Sequence, residues 1–289
     1  MKKYLLVILF IFSSAFLSAQ LPTNVNVISE NITFESNGTT LKGTFLKPKK
    51  YHAVVVLVHG SGQEKRMLKL ATSLAENGIA VLTYDKRGVG ESGGVYVGPE
   101  VGTNNIDSAN LNLLALDASE AVNALSAKLR IKNRSVGLLG FSQAGWIIPI
   151  ATANNPKVKF VVLFSGPLVN TLEQLRFQFY TAGDSKFWDK HSELEASAHT
   201  LNDPDKYQFK ATDPREALVT TSVKGLWIFG GKDIQIPVAM SVKRLEELNA
   251  MGKYFDYKLY PELGHNTAFS KSDEPLSYVL QWIKDLPVK

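Results

Sequence analysis

The chain has 289 residues, 45% hydrophobic and 20% charged, which is typical of a globular protein with a sizeable core and suits one large α/β domain or two small ones. The absence of cysteine excludes disulfides, thiolate nucleophiles, cysteine metal ligands and a lipid-modified N-terminal cysteine. The formal net charge is only +5 and forms no basic stripe, so no nucleic-acid partner is predicted.

The first 19 residues have the pattern of a secretory signal peptide. Lys2 and Lys3 precede an apolar run over residues 5–12, and small residues follow as far as Ala19. The apolar run is short for a membrane span, which favours a cleaved signal peptide. Leu17, two residues before Ala19, departs from the pattern, because a cleavage site prefers a small residue there. We expect cleavage after Ala19, export to the periplasm or the extracellular space, and no stable membrane insertion afterwards. An uncleaved membrane anchor is the alternative.

Residues 26–46 predict an antiparallel hairpin at the start of the domain, which we expect to span residues 20–289. Polar and apolar residues alternate on both sides of Asn37-Gly38, and this dipeptide is the strongest two-residue hairpin signal. Pro48 ends the second strand.

From residue 53 onward, strand patterns alternate with helix patterns. Near-continuous apolar runs predict buried strands at 53–58, 79–84, 136–139 and 158–164, and further strands are predicted within 225–233 and at 255–260. Helical spacing of apolar residues predicts helices at 65–77, 106–129 and 238–251, and residues 146–151 and 275–286 are expected to be helical too. The predicted fold class is therefore α/β, with a mostly parallel sheet covered by helices on both faces.

Between residues 168 and 222 the composition changes. Aromatic residues are mixed with charged ones, and no β-branched strand occurs. The stretch is too apolar to be a disordered linker, so we expect a helical insertion. Its aromatic residues suggest an apolar or aromatic substrate pocket. The alternative is a polar substrate that the charged residues of the insertion bind.

A serine between small residues follows the strand at 136–139. Residues 140–145 have the sequence Gly-Phe-Ser-Gln-Ala-Gly and connect this strand to a helical pattern. So tight a turn excludes bulky neighbours and pushes the Ser142 hydroxyl out above the edge of the sheet. The N–H of Gln143 then lies at the start of a helix, where it can stabilise an oxyanion.

A nucleophilic serine needs a histidine base that is oriented by a carboxylate. Of the five histidines, only His265 follows the last predicted strand, and Asp233 lies in a Gly-Gly-Lys-Asp turn after a buried strand. Ligands of open parallel sheets bind at the carboxyl ends of the strands, where Ser142, Asp233 and His265 all occur. Asp256 and Glu262 compete less well, because Asp256 falls inside a strand and Glu262 is nearly adjacent to His265.

The turn after the first parallel strand, residues 59–62, is expected to supply the second oxyanion donor through the N–H of Ser61. His59 itself is interpreted as structural. The glycine-rich loop at 85–94 lacks the spacing of either nucleotide-binding fingerprint and is interpreted as structural too. No metal and no cofactor is predicted.

Five motifs, taken in chain order, resemble those of the α/β-hydrolase superfamily of serine hydrolases. They are similar to bacterial esterases related to the dienelactone-hydrolase and prolyl-oligopeptidase branches. The motifs are residues 59–62, 85–92, 140–145, 230–237 and 264–265. Ala144 departs from the usual second glycine of the serine turn. The resemblance implies that the insertion at 168–222 is a lid over the active site; a dimer surface is the alternative.

The hypothesis that results is an exported carboxylesterase that cleaves small-molecule acyl esters through Ser142, His265 and Asp233 and an acyl-enzyme intermediate. Two alternatives stay open: a serine peptidase or amidase of the same fold, and a non-catalytic binding protein that has kept the fold. The sequence predicts neither the substrate's acyl and alcohol groups nor the oligomeric state.

Overall fold

The structure is a computed structural model that describes residues 26–97, 106–129, 136–204 and 210–287. The predicted signal peptide lies outside these residues. Within the described ranges, none of the helices combines the length and the apolar character that a membrane span requires.

Eight strands of the described residues form one sheet in the order β1-β2-β4-β3-β5-β6-β7-β8. The strands are β1 (Val27–Ser36), β2 (Thr39–Pro48), β3 (Ala53–Val58), β4 (Ile79–Tyr84), β5 (Val136–Phe141), β6 (Val158–Phe164), β7 (Lys224–Gly230) and β8 (Tyr254–Tyr260). From β4 to β8 every neighbouring pair is parallel, whereas β2 pairs antiparallel with β1 and with β4. The predicted mostly parallel sheet with an antiparallel N-terminal hairpin is confirmed.

The hairpin turn has the geometry that its two residues predict. Asn37 and Gly38 have φ angles of 47° and 69°, and Ser36 pairs directly with Thr39. Two consecutive left-handed residues give a twist that matches the flanking strands, and asparagine and glycine adopt this conformation at low cost.

Helices cover both faces of the sheet. They are α1 (Leu68–Glu76), α2 (Ser108–Leu129), α3 (Ala144–Asn154), α4 (Thr171–Thr181), α5 (Glu193–Asn202), α6 (Pro214–Leu218), α7 (Val238–Ala250) and α8 (Glu274–Lys284). Strand β3 packs on both sides: Val54 and Val56 contact the cluster that includes α2, α3 and α7, and Val55 contacts the cluster with α1 and α8. This double burial explains the continuous apolar sequence of the central strands.

Helix α1 begins three residues later than the sequence pattern predicts. The Arg66 N–H donates to Asp85 Oδ1 (2.7 Å), and the Met67 N–H donates to Thr83 Oγ1 (2.8 Å). These bonds to the end of β4 hold the preceding segment out of helical geometry, so a tertiary contact overrides the helical spacing.

In its described residues the segment at 168–222 contains the helices α4, α5 and α6 and a short 3-10 turn at 187–189, joined by loops, and none of the strands. Helix α4 starts with a capping box between Asn170 and Glu173. Glu173 also forms an ion pair of 2.7 Å with Arg244 of α7. The aromatic residues Phe177 and Phe187 are buried in a small core of the segment's own. The role of the segment as a lid stays a prediction.

Candidate active site

The carboxyl ends of the parallel strands meet at one edge of the sheet, and the site residues lie there. The turn at 59–62 follows β3, Ser142 follows β5, Asp233 follows β7 and His265 follows β8. A parallel sheet brings these segments together although they are far apart in the chain.

Ser142 occupies a strained turn between β5 and α3. Its φ angle is 49°, which is uncommon for a residue with a side chain. The Ser142 N–H donates to the Phe164 carbonyl (3.1 Å), and the Ser142 carbonyl accepts from the Gly145 N–H (2.8 Å). Backbone strain of this kind costs about 1–3 kcal/mol and clusters at functional sites.

The small residues around Ser142 are required by close packing. A Cβ at Gly145 would lie 2.6 Å from Pro167 Cδ, and one at Gly140 would lie 2.9 Å from the Val58 carbonyl oxygen. Such a Cβ at Gly140 would also lie 2.5 Å from the methyl group of Ala144. The departure at Ala144 is therefore accommodated, because Gly140 leaves room for the methyl group.

His265 is bound to the predicted acid. Its Nδ1 lies 2.8 Å from Asp233 Oδ2, and the Asp233 side chain is fully buried. The other oxygen, Oδ1, accepts from the backbone N–H groups of Gln235 (2.7 Å) and Ile236 (3.1 Å). These bonds fix the carboxylate. Because Asp233 contacts Nδ1 of His265, the other ring nitrogen, Nε2, is the one that has no contact with Asp233.

The competing carboxylates lie elsewhere. Asp256 accepts a hydrogen bond from Trp282 Nε1 (2.8 Å), and Glu262 forms an exposed ion pair with Lys232 (2.5 Å). The structure thus brings Asp233, and neither alternative, to His265.

Ser142 and His265 line the same cavity, which has a volume of about 190 Å³. Its lining includes the turn at residues 60–62 with Glu64, and an aromatic wall in which Phe141 contacts both Phe164 and Phe269. In the described part of the chain the insertion contributes no lining residue. The expectation that its aromatic residues form the pocket is wrong for the described residues, because they pack on one another, and β5, β6 and the turn after His265 supply the aromatic wall.

The turn at 59–62 lies beside the serine. A Cβ at Gly60 would be 3.8 Å from Ser142 Cβ. The Gly60 N–H donates to Glu64 Oε2 (2.9 Å), and the Ser61 carbonyl accepts from the Tyr96 hydroxyl (2.8 Å). Among the described residues, none accepts a hydrogen bond from the Ser61 N–H, so this group remains available to a ligand. Gln143 follows Ser142 directly and is 2% exposed.

Lys86 lies behind this turn. It is 2% exposed, and its Nζ atom donates to the Gly60 carbonyl (2.6 Å) and to Gln143 Oε1 (3.1 Å). Burial lowers the pKa of Lys86 to about 8, against an opposing contribution from Glu64. The sequence does not mark this lysine as functional, because its only signal is its place between Asp85 and Arg87 in the glycine-rich loop.

His59 has the structural role that the sequence indicates. It is buried, and its Nε2 lies 2.6 Å from the Tyr84 carbonyl oxygen, to which it donates. Burial lowers the pKa of His59 to about 3, with a further contribution from the charge of Lys86, so the ring is neutral at physiological pH.

The glycine-rich loop at 85–94 is held by ion pairs to residues outside it, Arg66 and Asp117. Burial alone would raise the pKa of Asp85, but hydrogen bonds from Arg66 and from backbone N–H groups lower it to about 2. Arg87 forms a buried ion pair with Asp117 of α2. These charged groups are engaged with one another and fix the segment that carries Lys86.

A residue outside the sequence-predicted site holds the histidine segment. Ser165, with a φ angle of 48°, donates from Oγ to the His265 carbonyl (2.5 Å), and the same oxygen lies 2.9 Å from Thr267 Oγ1. The sequence showed only that Ser165 closes a strand and gave no sign of its partner 100 residues later.

The insertion binds the segment that carries Asp233. The Trp188 indole donates to the carbonyl of residue 233 (2.9 Å), and Thr181 Oγ1 donates to the carbonyl of residue 234 (2.7 Å). The Gln174 amide donates to the carbonyl of residue 235. Three consecutive carbonyls are thus held by side chains of one segment, which restrains the backbone on which the acid depends.

The described residues contain no group of three or more His, Asp or Glu side chains that could hold a metal ion. The arrangement has the groups that acyl transfer requires, because a strained serine, a histidine with its Nδ1 bound to a buried carboxylate, and Ser61 with its backbone N–H line one cavity.

Comparisons with known proteins agree with this architecture. The model of the family described as serine aminopeptidase, S33, matches residues 49–217, which is more than half of the chain. A comparison with curated protein sequences finds no match.

Solved structures share the fold at low sequence identity. An esterase of Pyrococcus furiosus is 17% identical with a TM-score of 0.64, over 89% of this chain and 90% of the esterase. An acetyl xylan esterase from Paenibacillus is 17% identical with a TM-score of 0.62, over 92% and 85%. An acylaminoacyl peptidase of Pyrococcus horikoshii is 14% identical with a TM-score of 0.66, over 92% of this chain but only 43% of the peptidase.

Proposed function

The chain belongs to the serine aminopeptidase S33 family of α/β hydrolases, and from this premise we propose that it is a serine hydrolase that cleaves carboxylic esters. The observation that carries the proposal is one cavity lined by both Ser142 and His265, with His265 Nδ1 bonded to the buried Asp233. In the proposal Ser142 is the nucleophile, His265 the base and Asp233 the acid that orients the base.

The first half of the reaction forms an acyl-enzyme. Ser142 Oγ attacks the ester carbonyl carbon while His265 Nε2 takes the hydroxyl proton. The carbonyl oxygen becomes an oxyanion, which accepts hydrogen bonds from the N–H groups of Ser61 and Gln143. Collapse of this tetrahedral intermediate breaks the bond to the alcohol oxygen, and His265 returns the proton to the departing alcohol.

The second half releases the acid. A water molecule gives a proton to His265 and attacks the acyl carbon, which passes through a second oxyanion at the same two N–H groups. The bond to Ser142 Oγ then breaks, Ser142 regains the proton from His265, and the carboxylic acid leaves. The chemistry consumes one water and needs no metal or cofactor.

The size of the cavity favours small esters. About 190 Å³ is below the volume of typical pockets for drug-sized ligands, and one wall is aromatic. Two of the structural neighbours named above are called esterases. The proposed substrate is therefore a small acyl ester with an apolar group against the wall of Phe141 and Phe269.

Peptide or amide cleavage is the second candidate, and the description of the matched family favours it. The same groups attack esters and amides, so the geometry does not separate the two reactions. The test is to assay fluorogenic aminoacyl and acylaminoacyl amides beside the esters. The substrate class with the higher kcat/KM identifies the preferred reaction.

The proposal includes export with cleavage after Ala19 and a cap formed by residues 168–222 on the acid side of the site. The predicted export and cleavage are tested by fractionation of the producing cells and by N-terminal sequencing of the mature protein. A mature chain that begins at Gln20 supports it, and a chain retained in the cytoplasm with its Met1 contradicts it.

Hydrolysis of short-chain nitrophenyl esters tests the activity. Replacement of Ser142 by alanine is expected to lower kcat by about 10⁴-fold or more, because no other group supplies the nucleophile. Ser126→Ala, on α2 away from the cavity, is the matched control and should retain the rate. Equal hydrolysis by the wild type and Ser142→Ala would contradict the proposal.

A further inference from the structure

Lys86 is a buried cation to which the proposed reaction gives no role. Its Nζ atom contacts three groups at the edge of the site: the Gly60 carbonyl (2.6 Å), Gln143 Oε1 (3.1 Å) and the Gly62 carbonyl (3.4 Å). Only 2% of the residue is exposed, although lysine is almost never fully buried without a reason. These contacts join the turn after β3 to the turn after β5.

The contact with Gly60 has a particular consequence, because the Gly60 carbonyl and the Ser61 N–H belong to the same planar peptide group. A cationic donor on the carbonyl oxygen draws electron density towards it and makes the N–H of that group a stronger donor. The N–H so affected is the one that the proposed reaction uses for the oxyanion.

The rest of the turn is held from its other sides. The Gly60 N–H donates to Glu64 Oε2, and the Tyr96 hydroxyl donates to the Ser61 carbonyl. The Lys86 backbone N–H also donates to the Glu64 carbonyl (3.1 Å). The peptide groups on both sides of Ser61 Cα therefore have fixed orientations, and Lys86 supplies the only positive charge among these contacts.

We propose that Lys86 is a positioning residue of the oxyanion hole, which aligns the Gly60–Ser61 peptide with Gln143 and places a positive charge behind the Ser61 N–H. This inference rests on the proposed function, because the oxyanion exists only if Ser142 attacks an acyl group. It adds to that function a residue that acts on the transition state through a backbone donor.

The charge of Lys86 depends on pH in a range that can be measured. Burial lowers its pKa to about 8, and Glu64, which faces it, acts in the opposite direction. Two other titratable groups near it are neutral at this pH, because burial lowers the pKa of His59 to about 3 and raises that of Tyr84. Asp85, the preceding residue, is ionised, since hydrogen bonds from Arg66 and from backbone N–H groups lower its pKa to about 2. The Tyr96 ring lies 5.6 Å from Nζ.

The sign of the effect follows from these neighbours. Below a pH of about 8 the lysine is charged and polarises the donor peptide. Above this pH it loses a proton, and the hydrogen bond to the Gly60 carbonyl loses its charge. The rate of acyl transfer should therefore fall as the pH rises through about 8.

The test is the kinetics of Lys86→Met beside Lys65→Met, a matched change at an exposed lysine between β3 and α1. For Lys86→Met we expect kcat to fall by about 10- to 100-fold with little change in KM, less than the loss of a whole oxyanion donor. The wild type should lose activity above pH 8, and Lys86→Met should not show this limb. Lys65→Met should resemble the wild type in both respects.

The outcomes separate this inference from the proposed function. If Ser142→Ala abolishes activity but Lys86→Met keeps the wild-type kcat, or shows the same alkaline limb, the inference is wrong and the function stands. If the wild type has no esterase or amidase activity and a fluorophosphonate does not label Ser142, the proposed function fails. If Lys86→Met does not fold, Lys86→Gln replaces it in the test, because glutamine keeps a hydrogen-bond donor without the charge. A kcat of Lys86→Gln equal to that of the wild type at pH 7 would overturn the role of the charge.

Discussion

The two sides of the cavity are built in different ways. The serine side, residues 58–62 and 140–145, is formed by the ends of adjacent strands β3 and β5, and its geometry depends on glycines and backbone hydrogen bonds. The histidine side, residues 230–236 and 263–267, is held by the side chains of Ser165, which follows β6, and of the insertion. On the serine side small residues let the backbones approach closely, and Lys86 and Tyr96 also hold the turn at 59–62, whereas the histidine side is held mainly by side-chain partners far away in the chain.

This difference predicts how each side responds to mutation. A side chain added at Gly140 or Gly145 meets backbone within 3 Å and should disturb the fold and the activity together. A substitution in the supports of the histidine side removes one hydrogen bond among several, so it should change the rate more than the stability.

The largest effect is expected for Asp233→Asn. The amide is nearly isosteric, but it cannot hold His265 in the tautomer that accepts a proton at Nε2. We expect kcat to fall by about 10³- to 10⁴-fold, with an unchanged melting curve. Asp256→Asn is the matched control, and a loss of activity there instead would move the acid to the competing carboxylate.

Gly145→Val should be the most harmful change on the serine side. Its Cβ would lie 2.6–2.8 Å from Pro167, and part of that contact is backbone, which cannot give way. We expect a loss of about 2–3 kcal/mol in the free energy of unfolding, measured with urea, and a fall in kcat as the turn shifts. Gly145→Ala should lie between the wild type and the valine variant; wild-type stability in both would contradict the packing.

Trp188→Phe tests the contribution of the insertion to the acid segment. The ring is kept, and only the indole N–H that binds the carbonyl of Asp233 is lost. One hydrogen bond contributes about 0.5–1.5 kcal/mol, so kcat should fall by about 2- to 10-fold. Trp282→Phe is the control, because it loses an indole hydrogen bond of similar length, 2.8 Å, to Asp256 instead. If the two variants have equal kcat, the insertion does not support the acid.

The smallest effect is expected for Ala144→Gly, which restores the glycine that the usual turn contains. The methyl group is buried beside Gly140, and glycine at a helix start costs up to about 1 kcal/mol relative to alanine. We expect kcat within about twofold of the wild type and a slightly lower melting temperature. A large gain in kcat would mean that Ala144 distorts the serine turn.

The sequence predicted what local patterns determine. The strands, the Asn37-Gly38 turn and the tight turn at Ser142 each follow from residues that are neighbours in the chain. The order of Ser142, Asp233 and His265 placed them at one edge because parallel strands end there, and the structure brings Asp233 and His265 into contact.

The sequence could not show which residues come into contact only through the tertiary fold. Lys86, Ser165 and Trp188 act through contacts with carbonyl oxygens, which every residue carries, so no sequence pattern marks the acceptor. The origin of the aromatic wall was missed for the same reason: Phe269 contacts Phe141 only because the segment after β8 folds over the end of β5.

The central claim is that Ser142 is the nucleophile, and covalent labelling tests it most directly. Incubation of the folded protein with a fluorophosphonate, followed by intact mass measurement and peptide mapping, should show one phosphonyl group per chain, bound to Ser142. Ser142→Ala should show none. A phosphonyl group on another residue, or no labelling of a folded protein that hydrolyses esters, would contradict the account.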